Sequence, residues 1–104
     1  MGTKLDELLI GQYVIVRTYS AGVFAGTLSL KEGHEVELLN ARRLWKWKGA
    51  CSLSQLAEEG VKEPEECRFP KEVSQVILTE VIEIIKVSDA ARENIKNVPE
   101  WRSN

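Results

Sequence analysis

The sequence holds a single histidine, two cysteines and no long apolar run, and each scarcity closes off a class of protein. His34 lies in the polar turn Lys31-Glu32-Gly33-His34. With His34 alone in that turn there is no Ser/His or Cys/His arrangement to propose for activating a nucleophile, so the chain reads as non-enzymatic. Acids are plentiful between 58 and 66, but an exposed acidic run offers no apolar pocket in which a carboxyl could be tuned for proton transfer. No Gly-rich phosphate loop is present. Cys51 and Cys67 form neither a CxxC pair nor a disulfide framework, and with one histidine they are too few for structural zinc, so no metal or cofactor is expected. Nothing is apolar for long enough to cross a bilayer and no signal peptide is evident, which predicts a cytoplasmic protein with reduced thiols. A net charge of -2 argues against a general polyanion binder, which needs a basic excess.

What is present is enough for one small domain over residues 1–104. The apolar fraction is 43%, sufficient for a core, yet at 104 residues self-association would add stability. Thr3 can cap a short opening helix with Leu5, Leu8 and Leu9 at helical spacing, ended by Gly11. Its leucines must then dock on the domain's own sheet or on a neighbouring subunit. Residues 12–19 are rich in β-branched and aromatic side chains and predict a strand with Val14, Val16 and Thr18 on one face and Tyr13, Ile15, Arg17 and Tyr19 on the other. A second strand covers 23–30, with Gly26 marking a bend, a bulge or a close approach. A third runs from 35 to about 48, making a meander.

Gly49 breaks that strand, and Ser52-Leu53-Ser54-Gln55 has the spacing of a capping box that starts a helix ending at Gly60. Pro64 and Pro70 keep the following acidic stretch irregular, so 49–71 reads as an insertion folded over one side of the sheet. The Val- and Ile-dense run 73–87 predicts two more strands, with Thr79-Glu80 between them. Ser88 caps a last helix presenting Ala91, Ile95 and Val98. Pro99 ends it, and Trp101 anchors the tail. The fold class is mainly β with short flanking helices, a small five-stranded barrel.

One stretch stands apart. Asn40-Ala41-Arg42-Arg43-Leu44-Trp45-Lys46-Trp47-Lys48 has two of the three tryptophans and four positive charges with no acid among them. In an extended chain Arg43, Trp45 and Trp47 share one face, while Arg42, Leu44, Lys46 and Lys48 share the other. Guanidinium beside indole makes a platform for a flat anion, although an indole can equally close a small core. Candidate ligand-binding residues are Arg17, Tyr19 and Ser20 leaving the first strand, and Asn40, Arg42, Arg43, Trp45 and Trp47 leaving the third.

Two resemblances add to this reading. Leu8-x-x-Gly11-x-x-Val14-x-Val16, Gly22, Gly26-x-Leu28 and Val36-x-Leu38-x-Asn40-Ala41 resemble the first signature of Sm-like barrels, within the wider SH3-type group. Residues 74–85 sit where the second signature belongs. That resemblance implies an oligomer formed by pairing the fourth strand of one subunit with the fifth of the next. The RNA-reading residues of that family do not carry over, because Gly33-His34-Glu35 and Thr79-Glu80 occupy their places. The wording of 17–26, 40–45, 49–50, 52–57 and Cys67-x-Phe69-Pro70 resembles a family of small proteins encoded by tailed bacteriophages and prophages. It implies a genomic setting, the host cytoplasm, and no chemistry. The expected function is binding of a small anionic, nucleotide-like ligand, for instance to sequester a nucleotide immune signal of the host. The alternatives are a protein-interaction or virion assembly module, or a nucleic-acid-binding ring.

Overall fold

The computed structural model describes residues 4–102. Thr3, the expected cap of the first helix, lies outside the described residues. Helix α1 covers Lys4–Leu8, and strands β1 (Tyr13–Thr18), β2 (Val23–Glu32) and β3 (Glu35–Arg43) follow as a meander. Helix α2 (Leu53–Glu59) and a short 3-10 turn (Pro64–Glu66) form the insertion, before β4 (Val73–Leu78), β5 (Val81–Lys86) and helix α3 (Asp89–Lys96). All pairings are antiparallel, in the order β4-β3-β2-β1-β5. The mainly β class with short helices is therefore as the sequence predicts.

The order of the strands forces the sheet to curl. β4 and β5 lie at opposite edges, yet only Thr79 and Glu80 separate them. Three Cα steps reach about 11 Å at most, whereas the edges of a flat five-stranded sheet stand about 19 Å apart. The edges must meet at that corner, and the barrel-like shape follows. Backbone bonds from Tyr19 N to Glu80 O (2.9 Å) and from Val81 N to His34 O (3.0 Å) tie the corner to the neighbouring turns.

Two apolar layers result. Val14 and Val16 of β1 point inward with Phe24, Leu28, Val36, Leu38, Leu78 and Val81, so every strand contributes to the inner core. Tyr13 and Ile15 point outward, as the alternation predicts, and are buried under Leu56, Phe69, Ala91 and Ile95. Both faces of β1 are apolar because both are covered. At Gly26 the close approach is explicit, since a Cβ there would stand 3.0 Å from Ala41 Cα and Cβ.

The helices follow their signals. Ser52 Oγ accepts from Gln55 N at 3.1 Å, and the Gln55 side chain reaches back to accept from Cys51 N at 2.8 Å, one residue earlier than the ideal reciprocal cap. Ser88 caps α3 through Ala91 N. Of the first helix's leucines, Leu9 packs on the domain's own inner core, while Leu5 and Leu8 are 80% and 68% exposed. One expectation needs correction. Strand β3 stops at Arg43 and does not run to 48, because β2 begins at Val23 and offers no further partner beyond the bond from Leu44 N to Val23 O.

Candidate functional site

Past Arg43 the chain stays extended but changes partner. Trp45 N and Lys46 N both donate to Arg68 O, and Arg68 N returns a 2.7 Å bond to Lys46 O. The strip 68–70 in turn receives the tail after α3, where Trp101 N donates to Phe69 O at 3.0 Å and Phe69 bridges Glu100 in parallel. These three short strips close one end of the barrel beside the β1–β2 turn. Between them lies a cleft of about 540 Å³. Arg43, Trp45 and Trp47 form one side, Trp101 and Pro70 another, and the turn Ser20-Ala21-Gly22 the third.

The side chains here put aromatic rings and guanidinium groups side by side. Trp45 is 61% exposed and meets Trp101 edge to face, with ring centroids 4.9 Å apart and planes at 77°. Trp47 is half-buried against the outer core. The Arg43 guanidinium stacks 4.7 Å from the Phe24 ring centroid, and among the described residues it makes no ion pair. A guanidinium that lies over a ring and has no acid paired to it can still donate to an anion. The Arg68 guanidinium stands 5.4 Å over Trp101 and adds a second positive charge at the rim.

Ser20, Arg43, Trp45 and Trp47 are thus brought together as the sequence predicts. The other candidates go elsewhere. Arg42 is the clearest correction: alternation turns it away from Arg43, under α3, where it is 4% exposed. Its Nε donates to Pro70 O, Nη1 to Ile95 O and Val98 O, and Nη2 to Phe69 O, over 2.7 to 3.1 Å. Burial draws its pKa down, against the opposing influence of Tyr13, Glu72 and Glu100. Arg17 pairs with Glu83 at 2.9 Å, outside the cleft. Tyr19 is 78% exposed and lines a separate depression with His34, Glu80 and Ile82. Asn40 does not line the cleft. It takes φ 51° as the extra residue of a bulge, where Leu39 pairs with Thr27 but Arg42 already pairs with Ala25. Asparagine tolerates that left-handed conformation better than most residues.

Trp101 and Pro70 lie far from the 40–48 stretch in sequence, and only pairing through Phe69 brings them there. A tryptophan just beyond a helix-ending proline was the available signal. Ser20 Oγ donates to Glu80 Oε1 at 2.7 Å, so the turn is braced by an acid. Of the acidic run, Glu63 reaches Lys48 at 3.8 Å, a solvent-exposed pair of small worth. Cys67 is buried, its thiol pushed up first by that burial, which makes it a packing residue and a poor nucleophile. Among the described residues no cluster of His, Cys, Asp or Glu could hold a metal ion, and no helix is long and apolar enough to cross a membrane.

The fold and cleft define a small, mainly β protein whose curled sheet is braced outside by helices and opens at one end onto an aromatic, positively charged recess. The chain belongs to the family described as a domain of unknown function, DUF6948, which residues 11–95 match. A search of the curated proteins found no match. Trp101 lies beyond the matched residues.

Proposed function

We propose that the protein is a non-enzymatic binder of a small, planar, anionic ligand of the nucleotide type, held in the cleft between Trp45, Trp47, Trp101 and Arg43. The single observation that carries this reading is the pairing of an exposed indole with an arginine whose donor edge no described acid occupies. The indoles would stack the base and Arg43 would fork onto a phosphate. The recess of about 540 Å³ falls within the usual range of small-ligand sites, roughly 300 to 1,000 Å³. In the phage setting suggested by the wording of the sequence, such a protein would sequester a host signalling nucleotide in the cytoplasm. Thermal unfolding with cyclic and linear nucleotides at millimolar concentration tests it. A raised midpoint that Trp45→Ala abolishes supports the reading, and no shift with any nucleotide sinks it.

The second reading is an interaction or assembly module that works as a homo-oligomer or docks on another protein. Exposed Leu5, Leu8, Tyr19, Ile77 and Ile82 favour it. Here Trp45 would be an anchor residue, and Trp45→Ala would abolish a pull-down in protein that never bound nucleotide. A nucleic-acid-binding ring is the third reading, distinguished by a steep salt dependence of affinity.

A further inference from the structure

Trp101 reaches the cleft through a chain of contacts that starts at a buried arginine. Strips 45–46, 68–69 and 100–101 form a miniature sheet at the barrel end, and it sets the Trp45 and Trp101 rings in contact. Between Val98 and Trp101 the described backbone bonds outside regular elements are only two, Val98 N to Ile95 O and Trp101 N to Phe69 O. A single backbone bond contributes only about 1 kcal/mol net, and the Trp45 ring and the Arg68 guanidinium 5.4 Å over Trp101 add side-chain contacts to it. The stronger tie is Arg42. Its guanidinium takes the carbonyls of Phe69 and Pro70 with one part of its fork and those of Ile95 and Val98 with the rest. It therefore joins the strip that receives the tail to the helix end from which the tail departs.

The geometry of the third indole decides what the cleft can distinguish. Trp45 and Trp47 alone could stack one face of a ring. Trp101, at 77° to Trp45, turns that platform into a corner that also meets an edge. A base fills such a corner and a bare sugar phosphate does not. We infer that Trp101 is the specificity-determining wall of the cleft and that Arg42 is the positioning residue that holds it there. This rests on the reading of the cleft as a ligand site. A ligand touching Trp101 binds only the docked tail, so by linkage it must also tighten the tail.

The test uses the full chain with adenosine monophosphate and ribose phosphate as calorimetric probes. Wild type is expected to prefer the nucleotide. Trp101→Ala should weaken nucleotide binding about tenfold and leave ribose phosphate unchanged. Arg42→Lys keeps the charge but lacks the planar fork, and it should reproduce that loss while also abolishing the far-ultraviolet exciton signal of the Trp45–Trp101 pair. Arg43→Lys should keep the exciton signal. Amide exchange in the wild type, without ligand, should show Trp101 N–H protected like Asn97 N–H at the end of α3.

An exciton signal that survives Arg42→Lys, or a Trp101 amide that exchanges freely in the wild type, overturns the positioning role. Equal losses for both probes in Trp101→Ala overturn the specificity role. Should Arg42→Lys fail to fold, the wild-type exchange decides. No binding of either probe by a wild type that other nucleotides do stabilise thermally overturns the specificity role alone, and no response to any cyclic or linear nucleotide overturns it together with the ligand reading. That outcome is distinguishable, because tail protection is measured with no ligand present.

Discussion

Arg42 and Arg43 are consecutive, carry the same group, and end in opposite surroundings. Arg43 lines the cleft at the open mouth of the barrel, its guanidinium over the Phe24 ring. Arg42 lies under α3 with its donors spent on four backbone carbonyls. A residue's type says what it can bond, but the pleat of the strand decides whether the partner is a ligand or the protein itself. One face of this stretch therefore opens onto the cleft, and the other is bonded to the protein's own backbone.

The largest difference should come from truncating each arginine. Arg42→Met leaves those four carbonyls without their charged donor in a buried layer, and it should cost about 3 to 5 kcal/mol in urea unfolding. Arg43→Ala should cost under about 1 kcal/mol, the scale of an exposed cation–π contact. Equal costs would erase the distinction. In binding the order reverses: Arg43→Ala should weaken nucleotide affinity about tenfold, the scale of a charge-assisted bond, as read by calorimetry.

The contrast shows which parts of the molecule the sequence discloses. Apolar alternation along β1, the serine caps of α2 and α3, and the glycine at 26 are local signals, and they place the strands and helices correctly. The alternation of 42–47 also separates Arg42 from Arg43. What the chain order hides is pairing at a distance. Nothing near Trp45 indicates that Arg68 takes its backbone, or that the strip beginning there receives Trp101. The bulge at Asn40 is equally hidden, because a ligand-facing asparagine and a left-handed one look alike in sequence.

Asn40 gives a sharper, smaller test of that last point. Asn40→Gly should leave stability within about 0.5 kcal/mol and binding unchanged, since glycine accepts φ 51° freely. Asn40→Val should destabilise by about 1 to 2 kcal/mol, because a β-branched side chain resists the left-handed region. A loss of binding in a stable Asn40→Gly protein would return this residue to the site.

The smallest effect belongs to the buried layer around Tyr13. Tyr13 Oη is buried with no hydrogen-bond partner among the described residues. Burial first, then Glu72, push its pKa from 10.0 to about 12. With the folded value raised, the neutral phenol favours the folded state at every pH below about 10, and that contribution is lost as pH climbs through about 12. Tyr13→Phe should be neutral or stabilising by up to about 1 kcal/mol at neutral pH. It should also flatten the alkaline decline in melting temperature between those two values. An unchanged alkaline limb would mean that the hydroxyl reaches water.

The most direct measurement is a nucleotide titration of nitrogen-labelled protein, followed at the three indole Nε1–H signals and at the Nε–H signals of Arg42 and Arg43. The expected result is that Trp45, Trp101 and Arg43 shift together along one saturating curve while Arg42 Nε–H stays in place. A spectrum in which none of the indoles responds, or in which Arg42 moves and Arg43 does not, would contradict the assignment of the open face to recognition and the buried face to support.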